Sequence, residues 1–207
     1  HIALYQTETE KYFFMDVAHI MGDGMTMNVL FEDINALYAG KAAVPSEYTY
    51  YEYILDEKKR DEEGGREENI RYFTEQMKDL KIRRSILTKK EHRGLDFGIN
   101  AALRNRFEKI NRKKLTAFCH ENGVSENVVF LTAYNYCISL FSNEKDTVST
   151  SIHSGRTDSR WNRLAGPLFR TYYFRYTENK EETVAEMLKR SGRQIMETMR
   201  CYMSNLH

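Results

Sequence analysis

His19 lies four residues before an Asp-Gly pair, in the run Ala18-His19-Ile20-Met21-Gly22-Asp23-Gly24. An imidazole takes or gives a proton near neutral pH, so a histidine held on a loop is a candidate general acid or base. The plain alternative for H-x-x-x-D-G is a loop histidine followed by an Asp-Gly turn. The other histidines carry weaker claims. His92 sits among Lys89, Lys90 and Arg93 and reads as surface. His120 falls near a predicted helix C-terminus, where a cation is favoured by the dipole. His153 immediately precedes Ser154-Gly155-Arg156, where a structural or surface role is the simpler reading. No His, Cys, Asp or Glu cluster has metal-ligand spacing, so no metal site is expected. G-x-x-x-x-G-K-[ST] and G-x-G-x-x-G are both missing, which gives nucleotide binding no support. Without G-x-S-x-G, a covalent serine mechanism is disfavoured.

The elements around His19 follow from periodicity. Residues 2–6 and 12–17 alternate polar and apolar around Thr7-Glu8-Thr9-Glu10, a hairpin signal. The period then changes at Gly22-Asp23-Gly24. Val29, Leu30, Ile34, Leu37 and Tyr38 recur at helical spacing, and Gly40 supplies a stop. This places His19 on a strand-to-helix loop, where a rigid scaffold can present it. The charge-dense residues 58–68, with Gly64-Gly65, predict a solvated loop leading into a helix. Ile70, Phe73, Met77 and Leu80 mark one face of that helix. Leu95, Phe97 and Ile99 predict a strand, and residues 104–121 a helix closing at Asn122-Gly123. Ser125 can cap the next helix, with a stripe of Val128, Leu131, Tyr134 or Asn135, Ile138 and Phe141. Val148, Thr150 and Ile152 read as a strand, as do residues 169–176. A long final helix carries Val184, Met187, Leu188, Ile195, Met199 and Tyr202. Helices and strands interleave, so the expected class is α/β, a mixed sheet flanked by helices.

Composition narrows the classes further. The chain has 207 residues, of which 41% are hydrophobic and 29% charged, the balance of an ordered protein rather than a disordered one. Lys and Arg number 31 against 30 Asp and Glu, so no basic excess favours nucleic acid. No apolar run approaches the roughly 20 residues of a membrane helix. The first residues show no basic segment followed by an apolar core, so no signal peptide is expected. Cys119, Cys137 and Cys201 lack C-x-x-C spacing. Cys119 and Cys137 fall on predicted helices among apolar neighbours, which predicts buried free thiols in a reducing compartment. The expected location is the cytoplasm.

The run around His19 is similar to the HHxxxDG signature of nonribosomal peptide synthetase condensation domains, of the chloramphenicol-acetyltransferase-like superfamily. On that alignment His19 is the second histidine, and Ala18 stands where the first would be. Other stretches resemble the family in the same order. Residues 25–41 look like the helix ending in L-Y-x-G. Tyr50-Tyr51-Glu52-Tyr53 resembles Y-x-D-Y, and Tyr72-Phe73 lies in a stretch similar to Y-W-x-x-x-L. Residues 148–156 end in the strand-terminal S-G-R. Residues 166–175 resemble G-x-F-V-N-T-x-x-x-R, with Arg170 for Asn.

The resemblance implies a chloramphenicol-acetyltransferase-like lobe. It implies that residues 1–24 are the end of a first lobe and residues 25–207 most of a second, so the chain looks like a piece of a domain. It implies acyl transfer: a carrier-tethered thioester condenses with an amine, with His19 catalytic. In the family the motif aspartate is chiefly structural and pairs with an arginine. Asp23 and Arg156 would play those parts as a buried bidentate pair, and Gly24 would give the tight turn into the helix, where a side chain would crowd the backbone. No cofactor is expected to bind directly, the substrates riding on phosphopantetheine arms. The implied partners are peptidyl or acyl carrier proteins and neighbouring synthetase domains, with neither nucleic acid nor membrane. Two other functions fit the same residues: an O- or N-acyltransferase with a free acceptor, and a degenerate, non-catalytic module that binds carrier proteins. Ala18 and Arg170 are the features that favour the latter.

Overall fold

The structure, a computed structural model, describes residues 1–81 and 109–203. Strands β1 (Ile2–Gln6) and β2 (Lys11–Met15) form an antiparallel hairpin in register from Ile2 opposite Met15 to Gln6 opposite Lys11. The Thr7 hydroxyl accepts from the Glu10 N–H at 3.0 Å and closes the turn. A single 3-10 turn, His19–Met21, follows. Helices α1 (Gly24–Tyr38), α2 (Tyr50–Glu62), α3 (Gly65–Gln76), α4 (Arg112–Asn122) and α5 (Glu126–Ser142) come next. Strands β3 (Asp146–His153) and β4 (Arg170–Thr177) flank a second 3-10 turn at Ser159–Trp161, and helix α6 (Val184–Met203) follows. Among the described residues the strands make two two-stranded sheets, β1-β2 and β3-β4. Helices and strands interleave as the sequence predicts.

The chain divides into two compact units. Of the described residues, one unit holds 1–69 and 151–172 and the other 70–81, 109–150 and 173–201. The first unit centres on Tyr53, Trp161, Leu164 and Leu168, with Tyr48 and Tyr50 packed against them. Its rings meet mostly edge to face: Tyr53 lies 5.5 Å from Trp161 at 82°, the favoured aromatic geometry. The second unit is built on Val128, Phe174, Tyr176, Leu188 and Ile195.

Several local expectations change. The charged run is not a loop. Lys58 to Glu62 belong to α2, and the helix-forming Lys, Arg and Glu side chains pair one turn apart, Lys58 with Glu62 and Lys59 with Glu63. Helix α3 stops at Gln76, so Met77 and Leu80 lie beyond it. Helix α4 starts at Arg112 because the Asn111 side chain accepts the Lys114 N–H, and it ends on left-handed Gly123. Ser125 does cap α5, but the buried stripe is Val128, Thr132, Asn135 and Ser139, while Tyr134 and Phe141 are exposed. Cys119 is buried, whereas Cys137 lies off that stripe and is exposed, contrary to expectation. In β3 the more buried face carries Thr147 and not Ile152. His92, the strand expected at Leu95, Phe97 and Ile99, and the first residues of the helix expected from 104 lie outside the described residues.

Candidate active site

The hairpin ends at Met15, three residues bring the chain to Ala18, and His19 opens the 3-10 turn. His19 is exposed, and the edge of its ring meets Phe169, with centroids 5.9 Å apart at 62°. Asp23 sits four residues on, 5% exposed, as the N-cap of α1. Its Oδ1 accepts the Thr26 N–H at 2.9 Å, and the Thr26 hydroxyl accepts the Asp23 N–H at 3.2 Å, a reciprocal cap. Its Oδ2 accepts from Arg156 Nη1 at 2.9 Å and from the Leu168 and Phe169 N–H groups at 3.0 and 3.2 Å. One carboxylate therefore fixes the start of α1, the Arg156 loop and the segment leading into β4.

Arg156 spends both terminal nitrogens within this cluster, while its buried Nε has no partner among the described residues. Nη1 also donates to the Ser154 carbonyl at 3.2 Å, and Nη2 donates to the Leu164 carbonyl at 2.9 Å. The pair is thus not bidentate. Asp23 Oδ1 is taken by the helix cap, so the second guanidinium nitrogen turns to backbone carbonyls. Burial alone would raise the Asp23 carboxyl. The Arg156 hydrogen bond and charge, with the N–H and hydroxyl of Thr26, outweigh that and hold its pKa at about 2.

The role expected of Gly24 falls elsewhere. A Cβ on Gly24 meets nothing within 4 Å, because the residue is exposed in the first turn of α1. The tightest glycine is Gly155, at φ +71°, where a Cβ would lie 1.7 Å from the Leu168 carbonyl oxygen; Gly22, against the Thr26 side chain at 2.7 Å, and Gly166, against the Tyr50 ring at 2.4 Å, are crowded too. Beside it the His153 Nδ1 accepts the Gly155 N–H at 3.1 Å, and burial lowers the imidazole pKa. His120 is exposed in the last turn of α4. Among the described residues no three His, Cys, Asp or Glu side chains converge to hold a metal ion.

The condensation domain profile matches residues 1–203. The chain belongs to the condensation domain family. Gramicidin S synthase 2 of Brevibacillus brevis is 24% identical over 196 residues, which cover 91% of this chain and 4% of that synthase. Bacitracin synthase 1 of Bacillus licheniformis is 26% identical over 190 residues, 88% of this chain and 4% of that one. The chain thus spans a small fraction of these relatives. The first condensation domain of the calcium-dependent antibiotic synthetase, solved with a substrate analogue, shares the fold at a TM-score of 0.71 and 16% identity. That likeness covers 98% of this chain and 46% of the solved one.

As a condensation-domain chain it has one residue that sequence reasoning left aside, Thr26, and one, Arg170, whose contacts it did not foresee. Thr26 is 2% exposed and joins the cap to the Gly166 carbonyl at 2.8 Å. The D-x-x-T spacing of a reciprocal N-cap was the available signal. Arg170, where the family pattern has Asn, turns onto α2, donating to the Tyr53 hydroxyl at 2.7 Å and pairing with Glu57. Among the described residues no helix is long and apolar enough to cross a membrane.

Proposed function

We propose that this chain is part of a condensation domain that joins a carrier-tethered acyl thioester to an amine during nonribosomal peptide synthesis. The observation that carries the reading is the placement of His19: an exposed imidazole on a turn, braced four residues later by the buried Asp23–Arg156 pair. The amine nitrogen attacks the thioester carbonyl, the C–N bond forms, and the oxyanion collapses as the C–S bond breaks. The attacking amine must lose a proton and the departing thiolate must gain one. The His19 imidazole can accept the first and supply the second, a contribution of roughly 10²–10⁴-fold. Holding two tethered reactants together adds a proximity term at least as large.

Asp23 and Arg156 act at one remove, fixing the loop that presents His19. The substrates arrive on phosphopantetheine arms, so the partners are carrier proteins and neighbouring synthetase domains. Residues 1–24 are read as the end of a first lobe and 25–207 as most of a second, and the cytoplasm is the location in which such assemblies work. The relatives' identity as peptide synthases supports the reaction class.

The test is single-turnover condensation by the full-length protein with loaded carriers. His19→Ala should slow the chemical step by about 10²-fold or more, with an unchanged melting temperature. His120→Ala should leave the rate alone. If His19→Ala melts normally and condenses at the wild-type rate, His19 is not the catalytic group; a wild-type protein that binds loaded carriers without condensing them would be the non-catalytic module.

A further inference from the structure

Three consecutive residues leading into β4 are anchored in three different ways. The Leu168 N–H donates to Asp23 Oδ2 at 3.0 Å. Phe169 does the same at 3.2 Å and sets its ring against His19. Arg170 reaches in another direction, to α2. Its Nη2 donates to the Tyr53 hydroxyl at 2.7 Å, its guanidinium carbon lies 5.8 Å from the centre of the Tyr53 ring, and it forms an ion pair with Glu57. Tyr53 is 2% exposed and cannot drift. It stacks on Tyr50 at 5.8 Å and meets Trp161 edge-on at 5.5 Å. Glu57 is also paired with Arg60 from its own helix. Arg170 is therefore tied to a rigid aromatic cluster, one residue away from Phe169, whose ring meets His19.

We propose that Arg170 is a positioning residue for His19: by clamping the start of β4 to Tyr53 and Glu57, it holds the Phe169 ring where it sets the orientation of the imidazole. The inference rests on His19 being the catalytic group. Arg170 touches neither His19 nor a substrate. It acts through the backbone it shares with Phe169, whose other anchor is Asp23. An asparagine at this position is too short to reach the Tyr53 hydroxyl from β4, so the clamp belongs to this chain's arginine. Lysine restores the charge opposite Glu57 but offers no fork to hold the hydroxyl and the carboxylate together.

The test compares Arg170→Asn, Arg170→Lys and Tyr53→Phe in the full-length protein, with His19→Ala as reference. Tyr53→Phe keeps the buried ring and removes only the acceptor, so it reports on the clamp without opening the core. Two readouts are needed: single-turnover condensation with loaded carriers, and the imidazole proton resonances of His19, which sense the Phe169 ring. Arg170→Asn should lower the chemical rate about tenfold with the half-saturating carrier concentration unchanged, and should move the His19 resonances. Arg170→Lys should recover part of both, and Tyr53→Phe should show a smaller change in the same direction. If Arg170→Asn and Tyr53→Phe leave both the rate and the His19 resonances at wild-type values while His19→Ala is inactive, the clamp is refuted and the condensation reading stands. If His19→Ala condenses normally, the catalytic role of His19 fails and with it the purpose of the clamp, and unmoved His19 resonances in the Arg170 variants refute the clamp's geometry as well. If Arg170→Asn does not fold, Tyr53→Phe decides by the same two measurements.

Discussion

Two buried polar clusters, the Asp23 carboxylate in the first unit and the inward face of α5 in the second, are satisfied to different degrees. In the first, Asp23 is surrounded by donors: Arg156, the Thr26 N–H and the Leu168 and Phe169 N–H groups all reach it within 3.2 Å. In the second, α5 turns Thr132 and Asn135 inward, both fully buried. The Asn135 amide donates to the Leu131 carbonyl and to Ser149, each at 2.8 Å, but its own Oδ1, the Thr132 hydroxyl and the Thr147 hydroxyl have no partner among the described residues. A satisfied network in low dielectric rigidifies what it touches, while an unsatisfied one costs stability. The Asp23 carboxylate, with both oxygens paired, is the group that reaches the His19 loop, although the Arg156 Nε beside it has no partner among the described residues. In the cluster around α5, Asn135 Oδ1 and the Thr132 and Thr147 hydroxyls all lack one. The paired carboxylate specifies the geometry of its loop, while the α5 cluster tolerates a penalty.

The sharpest way to break this contrast is to delete Arg156. Arg156→Ala leaves the Asp23 carboxylate buried without its cation, and removal of one partner of a buried pair costs about 3–5 kcal/mol. Chemical denaturation should show a loss of that size. A loss below about 1 kcal/mol, the value of a surface pair, would mean that the backbone donors alone satisfy Asp23 and that Arg156 is dispensable.

Acid titration separates the same network from its surroundings. The Asp23 carboxyl has a folded pKa of about 2 against an ordinary 3.8, a depressed value. Its stabilisation is therefore present above pH 3.8 and lost as the pH falls toward 2, a change of roughly 2 kcal/mol. His153 gives a second window of the same sense but higher pH. Its folded pKa is lowered by burial below the ordinary 6.5, so the unfolded chain takes up the proton first. Stability contributed there is present above pH 6.5 and falls on acidification below it. Melting curves of Asp23→Asn should lose the lower step, and those of His153→Gln the upper. Retention of both steps in the respective variants would assign them to other groups.

How much of this was legible beforehand follows the range of each interaction. Short-range signals read well: the hairpin around Thr7, the Ser125 cap and the left-handed stop at Gly123 are each set within a few residues. The packing face of α5 read only in part: Val128 and Asn135 of the expected stripe are buried, but Tyr134 and Phe141 are exposed and Thr132 turns inward, because the apolar stripe assumes that apolar residues point inward. The tight glycine was misplaced for a related reason. Crowding at Gly155 comes from the Leu168 carbonyl, thirteen positions along the chain, and no local pattern at residue 24 or 155 records it. The Arg170 contacts with Tyr53 and Glu57 are more distant still, and the substitution reads from sequence only as a bulky cation.

The smallest expected effect tests the other side of the contrast. Thr132 is fully buried on α5, and its hydroxyl has no hydrogen-bond partner among the described residues. Burying an unpaired hydroxyl costs about 1–3 kcal/mol in mutational series. Valine has nearly the same shape and removes that penalty, while its second methyl fills the space the oxygen occupied. It carries a slightly poorer helix propensity, a few tenths of a kcal/mol at most. The two terms leave Thr132→Val neutral or more stable by up to about 1 kcal/mol, measured by the same denaturant titration as Arg156→Ala. Thr26 offers the matched control, since its hydroxyl serves both Asp23 and the Gly166 carbonyl, and Thr26→Val should be destabilising. A stabilised Thr132→Val beside a destabilised Thr26→Val keeps the contrast between the two clusters. If Thr132→Val loses more than about 1 kcal/mol, its hydroxyl is paired in solution, and the contrast with the paired Asp23 carboxylate falls.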